Sequence, residues 1–274
     1  MVIELKDNKY FKTNLNRWNE LVEINARSRL YDLDGFKSGK ISLLPIELEE
    51  LGVVAGKSLL HLQCHLGLDT LSWARLGANV TGVDFSDKAI ALAKELSKKL
   101  GIPARFIEVN LYDIPKILNE KFDIVFTSYG TICWLPDLVE WAQIINKYLK
   151  SGGIFYIIDG HPFGFIIDEK QEPFKVGFNY FSNGKPVFFG EGDAYADPLA
   201  DLKNQASYQW DHPMSEIINA IINAHLEIQF LHEFPFTFHK IHPKMKRRED
   251  GYYEFLNLKY SVPMMFSIKA YKKI

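Results

Sequence analysis

Two cysteines, Cys64 and Cys133, are all that this sequence contains. So few thiols exclude a disulfide framework, fit a reducing cytoplasm and leave no C-x-x-C pair for a zinc site. Long apolar runs are missing as well, and Met1 to Asn14 mixes charged with apolar residues, so neither a membrane segment nor a signal peptide is expected. Charge of one sign is not in excess. The 32 Lys and Arg against 34 Asp and Glu leave a net charge of −2, which argues against a nucleic-acid partner. The single basic run, Lys244-Met245-Lys246-Arg247-Arg248, is followed at once by Glu249 and Asp250 and reads as a solvated loop. Repeats and low-complexity tracts are absent. What remains is a chain of 274 residues, 47% hydrophobic, long enough to bury a sizeable core without staples as one large domain or two small ones.

The order of elements is the informative feature. From Asn14 to Leu30, apolar residues at Leu15, Trp18, Leu21, Val22 and Ile24 predict an amphipathic helix. Strands are predicted at Lys57–Leu62, Ala78–Asp84, Ala104–Val109, Phe122–Ser128 and Ile154–Asp159. Between them fall helices at Gly67–Leu76, after a Ser86 cap with Ile90, Ala93 and Leu100 on one face, and at Leu138–Leu149, where Trp141, Ile145 and Tyr148 share a stripe. Ser151-Gly152-Gly153 stops the last of these. Strands alternating with helices demand a doubly wound, mostly parallel sheet with right-handed crossovers and helices on both faces.

After Gly160 the rhythm breaks. His161 to Pro213 is rich in aromatic and turn residues, and Asn183-Gly184 between Phe178–Phe181 and Val187–Phe189 predicts a hairpin. A helix with Ile217, Ile218, Ile221 and Ile222 on its packed side follows, then strands at Leu226–Phe234 and Pro263–Tyr271. The expected organisation is one α/β domain with a seven-stranded sheet: an N-terminal helical cap over 1–45, a core over 46–160, a β-rich aromatic cap inserted over 161–213, and a last helix with two strands over 214–274.

Ligands of such sheets bind at the carboxyl ends of the strands, where the strand order reverses. The turn Leu62-Gln63-Cys64-His65-Leu66-Gly67 joins the first strand to its helix, and Gly67 allows close packing there. Asp84 ends the second strand, where a carboxylate can accept both hydroxyls of a ribose. Phe85 is placed to lie against an adenine, and Asn110 after the third strand to bond its edge, with Leu111 beside it. Cys64 reads as a small packed residue. His61 and His65 flank the turn without the further ligands that a metal needs, so no metal is expected.

Four motifs stand in order: Leu62-Gln63-Cys64-His65-Leu66-Gly67-Leu68-Asp69-Thr70, Gly82-Val83-Asp84-Phe85-Ser86, Phe122-Asp123-Ile124-Val125 and Leu149-Lys150-Ser151-Gly152-Gly153. Through them Leu59 to Pro162 resembles the class I S-adenosylmethionine (SAM)-dependent methyltransferases, and among these a bacterial branch whose first motif reads L-Q-C-H-x-G-x-D-T. The common first motif is an acidic residue followed by G-x-G-x-G. Here His61 stands at the acidic place, and Gln63 and His65 replace the first two glycines, which is expected to narrow the turn. The resemblance implies a cytoplasmic enzyme with SAM as cofactor and a small-molecule methyl acceptor. It implies cofactor contacts at Gln63, Cys64, His65, Gly67, Asp84, Phe85, Ser86, Asn110, Leu111 and Ser128.

Methyl transfer from a sulfonium is an in-line displacement, so alignment in a water-poor site is the main task, and a base helps only an acceptor that must lose a proton. Tyr129 after the fourth strand and His161 after the fifth are the base candidates. Tyr195, Tyr208 and Trp210 in the aromatic cap are candidates for contacting the acceptor. A nicotinamide-dependent oxidoreductase shares the fold and the acidic residue, but wants G-x-G-x-x-G, which the first turn lacks. A non-catalytic SAM-binding protein is the other alternative. Nothing in the sequence specifies an oligomeric state.

Overall fold

The alternation of strands and helices is present in the computed structural model, which describes residues 8–167, 175–256 and 260–273. Three helices come first: α1 (Lys9–Arg27), α2 (Leu33–Lys37) and α3 (Pro45–Leu51). Then follow β1 (Ser58–Leu62), α4 (Leu68–Arg75), β2 (Asn79–Asp84), α5 (Asp87–Leu100), β3 (Arg105–Glu108), β4 (Phe122–Ser128), α6 (Leu138–Tyr148) and β5 (Leu149–Gly160). The remainder carries α7 (Pro162–Phe165), β6 (Val187–Phe189), β7 (Ser207–Gln209), α8 (Met214–Asn223) and β8 (Leu226–Phe234). Last come β9 (Phe236–Thr237), β10 (Met245–Arg247), β11 (Tyr253–Phe255) and β12 (Met265–Lys272).

Seven strands form one sheet in the order β3-β2-β1-β4-β5-β12-β8. β2 pairs parallel with β1 and with β3, whereas β12 runs antiparallel to both β5 and β8. This is the Rossmann-like, mostly parallel sheet that the sequence predicts, with an antiparallel edge, and its order reverses between β1 and β4.

The chain divides into two compact units. One comprises the residues up to Leu43, Val53–Phe126 and Val187–Gln209; the other comprises Leu44–Gly52, Thr127–Pro186 and Trp210 onward. The division cuts across the segment 161–213, which the sequence presents as one insertion.

In the first unit α5 starts where Ser86 Oγ accepts the Ala89 N–H (3.1 Å), and it buries Ala89, Ile90, Ala93 and Leu96 against Leu66, Leu68, Leu71 and Phe106. Gly82 sits at the middle of β2 because a Cβ there would lie 2.8 Å from the Phe106 ring and 2.9 Å from Cys64 Sγ. In the second unit α6 is capped by Asp137 and buries Trp141, Ile145 and Tyr148, as their spacing predicts.

Four expectations are corrected. The predicted first helix begins at Asn14, but Asn8 caps α1 at the Tyr10 N–H, so the helix gains a turn that carries little apolar periodicity. No hairpin forms about Asn183-Gly184: β6 pairs with β7, eighteen or more residues further on, and Phe178–Phe181 is not a strand. On α8 Ile217 and Ile221 are buried while Ile222 is exposed, so the packed stripe is narrower than four isoleucines. The basic run is not a loop, because Met245–Arg247 is β10 of a three-stranded sheet ordered β10-β11-β9. There Met245 points inward, Lys246 and Arg247 outward, and Arg248 bonds Asp250 and Glu254.

Candidate active site

The turn after β1 takes an unusual path. Gln63, His65 and Gly67 all have positive φ, 56°, 47° and 72°, so every second residue is left-handed. This is the path for which alternate glycines are suited, and a residue with a Cβ is less stable on it by about 1–2 kcal/mol. The backbone therefore follows the glycine course although two glycines are missing, and the side chains of Gln63 and His65 do not divert it. Gly67 is required twice over: a Cβ would lie 2.7 Å from Phe106 and 2.8 Å from Ala93 Cβ. Cys64 is buried beneath the turn, its N–H bonded to Val83 O (2.9 Å), and burial pushes its thiol up, which keeps it unreactive.

Asp84, 7% exposed, closes β2 beside this turn. One carboxylate oxygen accepts the His65 N–H (2.8 Å) and the other the Ser86 N–H (2.9 Å), so each retains a lone pair for a ligand. Burial pushes its pKa up to about 6, against the opposite pull of the Ser86, His65 and Phe85 N–H groups. Phe85 is half-buried. Ser86 is fully used: its hydroxyl caps α5 and donates to Asn19 Oδ1 (2.5 Å) on α1. Asn110 Oδ1 caps a 3-10 turn over Leu111–Lys116 by accepting the Tyr112 N–H (3.1 Å), and Leu111 is buried behind it. His61, at the acidic place of the motif, is a buried core histidine. Its Nδ1 is 2.8 Å from Thr70 Oγ1, Phe126 packs at 4.8 Å, and burial lowers its pKa to about 3.

His65 extends toward α1 and meets residues that the sequence patterns did not flag. Its ring lies edge-on to Trp18 (5.1 Å) and Tyr31 (5.6 Å), and its Nε2 is 2.9 Å from Asn25 Nδ2. Tyr195 joins the same group, taking the Asn25 Nδ2 bond at 3.0 Å, hydrogen bonding Tyr31 through the two phenols, and packing 6.3 Å from Trp18. Burial pushes the pKa of His65 down to about 3, so it is a neutral ring.

The segment that carries Tyr195 is strapped to α1. Arg17 donates to the carbonyls of Gly192 (3.1 Å), Asp193 (2.9 Å) and Gln205 (2.6 Å). Asn14 exchanges two bonds with the Tyr208 backbone (2.8 Å each), and Glu20 accepts the N–H groups of Lys203 and Asn204. The Tyr208 ring packs on Tyr10 (4.7 Å) and Phe188 (5.0 Å). Asn14, Arg17, Leu21 and Asn25 recur every three or four residues, so one face of α1 holds the strap while Trp18 and Asn25 touch the turn.

The remaining candidates lie in the second unit. Ser128 is buried at the end of β4, and Tyr129 follows with φ 41°. The Tyr129 phenol donates to Glu47 Oε2 (2.6 Å), a fully buried carboxylate of α3 whose other oxygen takes the Leu44 N–H (2.7 Å). Desolvation and that carboxylate push the phenol well above its usual range. Asp159 at the end of β5 gathers the loop after β4, accepting from the N–H groups of Gly130, Thr131 and Ile132 and from the Thr131 hydroxyl. His161 caps α7, with Nδ1 accepting the Phe163 N–H (3.0 Å) and Nε2 2.8 Å from Glu233 Oε1. Trp210 is buried, its backbone N–H bonded to Cys133 O (2.8 Å). Among the described residues no cluster suited to a metal is found, and no helix is long and apolar enough to cross a membrane.

Residues 60–157, which contain the turn, Asp84, β4 and most of β5, match the methyltransferase domain family. The matched stretch is somewhat over a third of the chain. An uncharacterized methyltransferase of Synechocystis sp. is 34% identical over 49% of this chain and 60% of its own length. The ubiquinone biosynthesis O-methyltransferase of Proteus mirabilis is 28% identical over 64% of this chain and 71% of its own. Thus the chain spans somewhat over half of the first relative and more of the second. Among solved structures, an S-adenosylmethionine dependent methyltransferase from Listeria monocytogenes superimposes with a TM-score of 0.58 at 19% identity, covering 84% of this chain and 96% of that one. The chain thus has the Rossmann-like fold of that structure. Nothing in these similarities supports the nicotinamide-dependent alternative.

Proposed function

We propose that the chain transfers a methyl group from SAM to a small-molecule acceptor, with the nucleoside held in the first unit across the ends of β1, β2 and β3. The observation that carries this reading is Asp84. It is a buried carboxylate held by backbone N–H groups on both oxygens, set beside a turn in which the backbone is left-handed at 63, 65 and 67. Two vicinal hydroxyls are the ligand group that fits a paired acceptor, and their donation restores the solvation that the ionised group lost on burial. Phe85 offers the adenine a flat neighbour, Asn110 a polar edge and Leu111 an apolar floor. Gln63, Cys64 and Gly67 shape the turn, and Ser86 anchors the helix start.

SAM brings its own activated methyl group, so the protein has to bind, orient and exclude water. Within the second unit, Tyr129 and His161 are the titratable side chains that follow β4 and β5. The Tyr129 phenol keeps its proton in the hydrogen bond to Glu47, and the His161 ring is taken up by Phe163 and Glu233. In the first unit Tyr195 and Tyr208 supply aromatic surface for the acceptor. The motif Leu62–Thr70 supports membership of the L-Q-C-H-x-G-x-D-T branch, and the scarcity of thiols a cytoplasmic site of action. Calorimetry with SAM, S-adenosylhomocysteine, NAD and NADP tests the reading: the first two bind and the dinucleotides do not. Tight NAD binding without SAM binding refutes it, and SAM binding with no turnover on any acceptor leaves a SAM-binding protein without catalysis.

A further inference from the structure

The strap leaves and returns at one place. β6 and β7 pair antiparallel, with Phe189 opposite Ser207, and form a two-stranded sheet of their own. Residues 190–206 are therefore a loop closed by a β neck, and a loop with its ends joined moves as one piece. An isolated two-stranded ribbon is marginal alone, and Asn14 of α1 fixes this one by its two bonds to the Tyr208 backbone. At the neck Gly190 carries no side chain to crowd the Phe188 ring, which a Cβ there would meet at 3.3 Å.

Beyond the neck the loop is held chiefly by polar bonds. Its apolar fastening is a satellite cluster of Leu21, Ala194 and Leu202, whereas Val22, Ala26 and Tyr31 pack into the main cluster with α4 and α5. Arg17, 8% exposed, gives its guanidinium to the carbonyls of Gly192, Asp193 and Gln205 and is bonded by no carboxylate among the described residues. Closing the loop strips this charge of water and returns three hydrogen bonds; opening reverses both. Two large terms of opposite sign leave a small difference, which is what a two-position element needs.

Beneath the loop lies the nucleoside end of the first unit. Tyr195 takes the Asn25 amide (3.0 Å) and the Tyr31 phenol, Asn25 meets the His65 ring (2.9 Å), and the His65 N–H bonds Asp84 (2.8 Å). A carboxylate only 7% exposed receives two ribose hydroxyls once part of its cover lifts, and the loop is the part least tied to the core. We propose that residues 190–206 are a flap, hinged at the β6–β7 neck, clamped by Arg17 and latched by Tyr195, that opens to admit and release the nucleoside. The proposal rests on the SAM reading above. Arg17 is a positioning residue in it, since its bonds go to the flap.

A gate and a fixed wall differ in kinetics. A gate that is shut with and without ligand limits entry and exit alike, so loosening it raises both rate constants and leaves Kd nearly unchanged. A wall that merely touches the ligand alters release and affinity together. Stopped-flow binding of S-adenosylhomocysteine to the full chain makes the distinction. Arg17→Met is expected to raise the association and dissociation rate constants each about tenfold or more, with Kd within about twofold. Tyr195→Phe, which keeps the ring and the clamp, should raise both about threefold to tenfold and serves if Arg17→Met fails to fold. In the wild-type protein S-adenosylhomocysteine should slow amide exchange across residues 190–206. Rates unchanged in Tyr195→Phe, a rise in dissociation alone with a matching loss of affinity, or exchange of 190–206 indifferent to the ligand overturns the inference and leaves the SAM reading standing. Failure of the wild-type protein to bind S-adenosylhomocysteine overturns that reading and the inference with it.

Discussion

Titrating the affinity for 5′-methylthioadenosine between pH 5 and pH 8 probes Asp84 directly, since this nucleoside has no amino-acid head to titrate. With its pKa raised to about 6, Asp84 is ionised at pH 8 and largely protonated at pH 5. Only the carboxylate has lone pairs for two ribose hydroxyls besides the N–H groups of His65 and Ser86. Binding is therefore full above the folded pKa and is lost as pH falls through it. One pH unit below a pKa about a tenth of the group is ionised, so affinity at pH 5 should be about tenfold below that at pH 8, or ~1.4 kcal/mol. Stability has the opposite slope. A pKa raised from 3.8 to about 6 stabilises the unliganded fold below the lower value, and that contribution, about 3 kcal/mol, is gone above the upper one. The comparison is Asp84→Asn, which should bind at least about tenfold more weakly at pH 8 and show a flat profile. Calorimetry at four pH values, with circular dichroism to confirm the fold, makes the measurement. Parallel profiles for the wild type and Asp84→Asn would refute the reasoning.

Gly67→Ala should destabilise the protein by about 2–4 kcal/mol in urea unfolding, because the new methyl group would sit 2.7 Å from Phe106 at a left-handed position. Gly101→Ala is the control: its φ is also positive but nothing lies within 4 Å, and the loss should stay at about 1–2 kcal/mol. Arg17→Met should release the strap: amide exchange across residues 192–205 rises about tenfold or more while β1, β2 and β3 keep their protection, as mass spectrometry would show.

The parts of the fold that follow from local periodicity were legible in the chain. β4 and β8 occur at the bounds their apolar runs suggest, and the Ser86 cap is where its hydroxyl and the next apolar face put it. What escaped was set by contacts distant in sequence. Asn183-Gly184 has the composition of a hairpin turn, yet β6 takes β7 as partner, because the backbone of β7 is held by Asn14 of α1. On α1 the apolar pattern picked out Leu15, Trp18 and Ile24, which are only partly buried, and passed over Asn14, Arg17 and Asn25, which are buried. Polar residues on the buried face are invisible to hydropathy, and their partners lie about 170–190 residues away. The one local trace was their recurrence in step with Leu21. Gln63 and His65 look unsuited to a glycine turn by conformational preference alone. The bonds from His65 N to Asp84 and from its ring to Asn25 give a left-handed histidine something to hold.

The strap also sets an order of assembly. Arg17 and its acceptor at Gln205 are 188 residues apart, so during synthesis at about 5–20 residues per second the guanidinium waits roughly 10–40 s for its partner to be made. β1, β2, β3 and α5, which frame Asp84, are complete well within that interval, whereas the ring of Tyr195 is not yet translated. On the proposed reading of Asp84, a nascent chain can therefore form the ribose end of the site before the enclosure around His65 exists, and α1 must meanwhile keep a buried-to-be arginine in water, with closure of that long loop among the last and slowest steps of folding.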